Sequence, residues 1–302
     1  MSSIRTWLII ANIFGVISAT FGIVVLIYIA QLFLRQGLSS SDLAMLTENI
    51  KPEYIPVLFS VMAFLACGNL YYCCYIINFV RKSDDDTLIN NRWILAVFSL
   101  SVGGLFTPFV LAQMPNVEVK SSSDPKFTIS KAYGVNALLA PIVGVSFYFI
   151  FLKGTGLSMG MSQTNQIVWI VFAVIGFWGI LNCALFAGPN AKNVWDKKGA
   201  GYKFMNLIAV INLVYATIIL IIQIILSILT IISIIADLFN PKNKGIFGFF
   251  DALLAPLKIA MQLFIIYTIV KTIKGLWSKG NSFQYGVYTN LSEKQKNYEM
   301  NR

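Results

Sequence analysis

The chain has 302 residues, of which 57% are hydrophobic and only 12% charged, against about 25% charged in a soluble domain. Its formal charge is +10, but the 23 Lys and Arg flank long apolar runs instead of forming a stripe. That pattern excludes the continuous basic footprint of a nucleic-acid binder and fits attraction to anionic lipid headgroups. No histidine occurs, which removes Ser-His-Asp and Cys-His catalysis, His-metal sites and haem ligation by His.

The charges sit in short clusters between apolar runs, several of which meet the roughly 20 residues needed to cross a bilayer core of about 30 Å. The first run, about Trp7 to Leu34, follows a short polar start with Arg5. It is longer than a signal-peptide core and lacks a small-x-small end, so it reads as an uncleaved anchor. The loop after it holds Ser39-Ser40-Ser41-Asp42, then Leu43, Leu46 and Ile50 at helical spacing, which predicts a short interfacial helix.

The second span covers about Ile55 to Val80, the third Trp93 to Met114, the fourth Ala132 to Leu152 and the fifth Gln166 to Phe186. The sixth, Phe204 to Ala236, has no charge. At about 50 Å of helix it exceeds the hydrocarbon thickness and must tilt, protrude or break. The seventh, about Phe249 to Val270, contains Asp251, Pro256 and Lys258. The expected fold is therefore all-α: a polytopic transmembrane bundle of about seven spans, with six plus a re-entrant seventh as the alternative. It occupies residues 1–275, and residues 276–302 form a polar, flexible tail.

Orientation follows from the positive-inside rule. Seven spans divide the basic residues 15 to 7, with Lys258 set aside, and place the tail in the cytoplasm and the amino terminus outside. With the seventh segment re-entrant the division is 14 to 9, and the amino terminus moves inside while the tail stays cytoplasmic. The expected location is the cell membrane.

Few residues suggest chemistry. The four cysteines, Cys67, Cys73, Cys74 and Cys183, lie in apolar runs without a CxxC pair, so neither a disulfide framework nor a zinc site is indicated. Asp84-Asp85-Asp86 lacks the alternating ligands of a calcium loop and reads as a solvated loop. Lys153-Gly154-Thr155-Gly156 lacks the order of a phosphate cradle. Asn290-Leu291-Ser292 is a glycosylation sequon, silent on a cytoplasmic tail. No cofactor and no metal are expected, and an enzyme is disfavoured because no paired acid is visible in the spans.

Small and polar residues recur at helical spacing in the first run (Asn12, Gly15, Ala19, Gly22) and the fifth (Ala173, Gly176, Gly179, Asn182). These read as packing seams, since close backbone approach drives helix association in lipid. In the sixth run Asn212, Ala216, Gln223, Ser227 and Thr230 share a sector of about 60°. Amides are costly in hydrocarbon, so this face should point into the bundle, for interhelical hydrogen bonds or as the lining of a permeation path. In the seventh, Asp251 and Lys258 share a face, with Gln262 one turn further on. An ionisable residue within a span is a functional candidate, and snorkelling of Lys258 is the plainer alternative. The candidate bundle-lining residues are thus Asn212, Gln223, Ser227, Thr230, Asp251, Lys258 and Gln262.

The string Ala-Leu-Leu-Ala-Pro occurs at 137–141 and 252–256, but its flanks do not align as an internal repeat. Pro108, Pro141 and Pro256 mark points where a helix can kink or break. Two functional classes fit: a permease-like transporter or membrane subunit of a transport system, and a non-catalytic scaffold or assembly protein. Expected partners are the lipid bilayer and other membrane subunits, not nucleic acid.

Overall fold

A computed structural model describes residues 1–36, 54–101, 107–115, 124–154, 163–238 and 246–277. Every regular element among them is helical. In chain order these are α1 (Ser2–Gln36), α2 (Ile55–Lys82), α3 (Asp85–Asn90), α4 (Arg92–Ser101), α5 (Thr107–Ala112), α6 (Pro125–Gly154), α7 (Gln163–Phe186), α8 (Ala191–Lys197), α9 (Ala200–Leu238) and α10 (Ile246–Leu276). The expected interfacial helix after α1, the Lys153 loop beyond Gly154 and the tail with its sequon lie outside the described residues.

Six of these helices are long and apolar enough to cross a membrane: α1, α2, α6, α7, α9 and α10. The third expected span is not among them within the described residues, which leave out residues 102–106 in its middle. Its residues form α4, of 10 residues, and α5, of 6. At 1.5 Å per residue α4 is about 15 Å long, half of a bilayer core. The last apolar segment, the one suspected of being re-entrant, is a single helix of 31 residues with Pro256 inside it. Pro141 is likewise carried within α6. The sixth run does not break either, since α9 continues for 39 residues. At about 58 Å it has to tilt or protrude.

The chain forms two compact units. One holds α1 from Arg5, α2, α6 from Phe127, α7, α8 and α9 as far as Ala209. Its core has two parts. Leu26, Ala30, Phe33, Ile55, Ala63, Phe147 and Phe151 pack together, with Phe59 stacked on Phe151 at 4.1 Å between ring centroids. The other part gathers Phe186, Trp195, Met205, Ile208 and Ala209.

Small residues set the helix spacing in this unit. A Cβ on Gly179 would stand 2.7 Å from the backbone of Ala137, and one on Gly134 2.8 Å from Asn182. Gly15 faces the Cys73 thiol in the same way, whereas Gly22 and Gly176 face open space. Three of the four residues of the first seam and two of the four of the second therefore pack.

Some polar groups within the unit are satisfied inside their own helices. Asn12 donates to the Leu8 carbonyl at 2.8 Å and Asn182 to that of Trp178 at 2.9 Å, the i−4 pattern of helical polar side chains. Others bond between helices: Ser60 Oγ to the Gly144 carbonyl at 2.7 Å, Asn136 Nδ2 to the Tyr72 hydroxyl at 3.0 Å, Tyr75 Oη to the Thr128 carbonyl at 3.5 Å, and Arg5 Nη1 to the Val80 carbonyl at 2.5 Å.

The second unit holds α3, α4, α5, α9 from Val210 and α10. Its centre is α4, packed against α5 and α10.

Candidate functional site

The segment from Asp84 to Pro115 is where the second unit departs most from a simple span. Asp84 is the N-cap of α3, its Oδ1 accepting from the Thr87 N–H at 3.0 Å. Asp85 and Asp86 follow in the first turn, where carboxylates favour the positive end of the helix dipole. The aspartate run therefore starts a helix, where a loop was expected. α3 ends at Asn91, whose Nδ2 donates to the Thr87 carbonyl at 2.8 Å, and α4 begins at the next residue.

From Thr87 to Leu100 every residue is buried. Ile94, Leu95, Val97 and Phe98 are wholly enclosed. Polar residues are enclosed with them, and the Ser99 hydroxyl donates to the Leu95 carbonyl at 2.9 Å.

Three contacts fix where this segment goes. At the start of α4, the Trp93 indole fills the space left by the missing side chain of Gly275, near the end of α10. Beyond α4, Phe109 of α5 stacks on Phe264 of α10, 3.9 Å between centroids and 6° from parallel. Eleven residues separate Phe264 from Gly275, about 16 Å along α10. The chain then comes back: Arg92 Nη1 donates to the Pro115 carbonyl at 3.0 Å. α4 and α5 are thus the two arms of a hairpin whose mouth is tied at Arg92 and whose far part lies at Phe264.

Arg92 is 97% enclosed, being only 3% exposed. Its guanidinium lies 4.9 Å from the Trp93 ring centroid, within the range of a cation–π contact. Burial lowers its pKa to about 10, so it remains a cation at neutral pH. The same end of α10 is tied to α9, since Trp277 Nε1 donates to the Thr217 hydroxyl at 2.9 Å. Along α10 the hydroxyls of Thr268 and Thr272 bond back to Phe264 and Thr268, leaving this flank of the helix without competing polar demands.

The candidates read from sequence are distributed unevenly. Asn212 and Ser227 are buried on α9, together with Leu213, Ala216 and Leu220. Gln223 is half-buried, and Thr230 is exposed with its hydroxyl bonded to the Leu226 carbonyl. On α10, Gln262 is half-buried and Lys258 exposed, while the side chain of Asp251 lies outside the described residues. Arg92, Trp93, Pro115 and Gly275 were not among the candidates. Three signals pointed to them: a cation directly before the third apolar run, Gly103-Gly104 inside it, and Pro108 after those glycines.

The chain matches no protein-family model, no curated protein and no solved structure. Apolar helices of this number and length make it a multi-pass membrane protein by architecture.

Proposed function

We propose that the chain is a permease-like transport protein, or the membrane subunit of a transport system, in the cell membrane. Six helices span, and the α4–α5 hairpin enters and leaves from one face. The observation that carries this reading is the buried third segment, which comes back to Arg92 at Pro115 instead of crossing. In lipid, a segment that turns back at membrane depth survives only where protein surrounds it or where it lines a water-filled cavity. Transporter folds place discontinuous helices at their substrate sites. Phe264 is the midpoint of the apolar stretch Leu253–Leu276 of α10, so the far part of the hairpin reaches about halfway across.

The basic residues support this topology independently. With α1, α2, α6, α7, α9 and α10 as the spans, Arg35, Lys51, Lys153, Lys242 and Lys244 fall on one side. Lys258 lies within α10, and the other 17 of the 23 fall opposite. A division of 17 to 5 is sharper than the 15 to 7 of seven spans. Both termini, the hairpin mouth and the α8 connection are then cytoplasmic.

Topology and transport are tested separately. In a cysteine-free background, Lys82→Cys and Gln113→Cys are labelled with a membrane-impermeant maleimide in oriented vesicles. The hairpin requires both to react from the same side, and reaction from opposite sides makes the third segment a span and ends this reading. For transport, the chain is purified in mild detergent and reconstituted. A co-eluting ATPase or solute flux in proteoliposomes supports the function. The absence of both leaves the scaffold role, for which loss of a specific partner on deleting residues 282–302 is the positive sign.

A further inference from the structure

The connection from α7 to α9 is built differently from a simple turn. α8 is short, and Trp195 at its centre is buried. The Trp195 ring lies 5.7 Å from Phe127, 6.1 Å from Phe186 and 4.9 Å from Tyr202, centroid to centroid. Four aromatic rings thus hold α8 against the ends of apolar helices. Lys198 then closes α8 in the left-handed conformation, φ 51°, and turns the chain into α9.

Around this fixed indole the surface is basic. Lys192, Lys197, Lys198 and Lys203 are all exposed, and Asp196 is the single acid among them. Val194, also exposed, puts an apolar contact in the middle of the lysines. Because α7 and α9 are both membrane-crossing lengths, a connection this short and this firmly packed cannot leave the bilayer surface. Four cations at a fixed height beside aromatic rings complement a layer of phosphate headgroups.

We infer that the α8 elbow is a docking surface for anionic phospholipid headgroups. The six-span reading above assigns it to the cytoplasmic leaflet, but the headgroup chemistry stands without that assignment. Each lysine is expected to add about fivefold to partitioning onto an anionic surface, so the four together act on the order of a hundredfold or more.

The test uses the full chain in detergent, titrated with phosphatidylglycerol or with phosphatidylcholine of the same acyl chains, and read by native mass spectrometry. Wild type should retain phosphatidylglycerol preferentially. The Lys192→Gln/Lys197→Gln/Lys198→Gln/Lys203→Gln variant should lose that preference by about a hundredfold, with phosphatidylcholine adducts and gel-filtration profile unchanged. The tail variant Lys279→Gln/Lys294→Gln/Lys296→Gln should keep it. Loss in the tail variant instead, or equal loss of both lipids, overturns the proposal. So does displacement of phosphatidylglycerol by inorganic phosphate at matched ionic strength, which would mark a free-anion site. The readout needs no flux, so failure of the transport reading leaves it intact, and labelling of the elbow from outside would move the leaflet but not the site.

Discussion

α4 and α9 are both mainly apolar, yet they meet opposite surroundings. Of the most apolar window of α9 only 11% is buried, and Ile218, Ile221, Ile222, Ile225 and Leu229 face outward. In α4 no described side chain is exposed. Apolar content alone does not separate them; length and punctuation do. α9 runs 39 residues without a breaker, whereas the third apolar run is preceded by Arg92 and interrupted by Gly103-Gly104 and Pro108. A helix that faces lipid needs only to be long and apolar. One that stops halfway must be enclosed, and its ends must be held by named contacts.

That contrast can be broken at its contacts. The largest effect is expected where backbone meets backbone. Gly179→Leu drives a side chain into Ala137, which cannot rotate away, and should cost at least the 1–3 kcal/mol typical of overpacking. Gly176→Leu, which faces open space, should be near neutral, and melting in detergent compares the two. Gly275→Leu displaces the Trp93 indole and should cost about 1–3 kcal/mol. It should also expose Gln113→Cys to faster labelling, which Gly179→Leu should not.

Arg92→Met removes the cation that ties the hairpin mouth. A hydrogen bond from a charged group is worth about 1.5–3 kcal/mol, so a lower melting temperature is expected, with Arg92→Lys recovering only part of it. The carbonyl of Pro115 accepts from a planar guanidinium that also covers an indole, a geometry that lysine does not reproduce.

Much of this architecture was legible. Five of the seven apolar runs became helices within a few residues of their expected bounds at most ends, because the period of charge and apolar length is set by the bilayer. The last segment did so too, although Asp251, Pro256 and Lys258 argued for a dip. A proline costs one backbone bond, and the remaining turns of α10 hold the helix together. The third run comes back on itself, with Arg92 bonded to the Pro115 carbonyl, and hydropathy averaged over a window carries no sign of such a long-range return. Trp93 and Gly275 stand far apart in sequence, and a missing Cβ leaves no sign of the ring that will fill its space. Within the polar stripe of α9, Asn212, Ala216 and Ser227 lie buried. Thr230 satisfies its hydroxyl within its own helix and so needs no neighbour.

Two smaller effects sharpen the picture of α10 as the wall of the hairpin. Phe109→Ala and Phe264→Ala should couple by about 0.5–1.5 kcal/mol in a double-mutant cycle, as stacked rings do. Additive losses would separate the two rings and with them the far end of the hairpin. Trp277→Phe and Thr217→Val should each cost about 0.5–1.5 kcal/mol, and the double variant no more than either single one.

The dependence of Trp93 on Gly275 also sets an order of events during synthesis. Arg92 leaves the ribosome 184 residues before Leu276, which at 5–20 residues per second is on the order of 10–40 s. For that interval the third apolar segment exists without the helix that will cover it. A nascent chain halted before α10 therefore holds an uncovered apolar arm, the kind of surface that insertion machinery and quality-control proteases recognise.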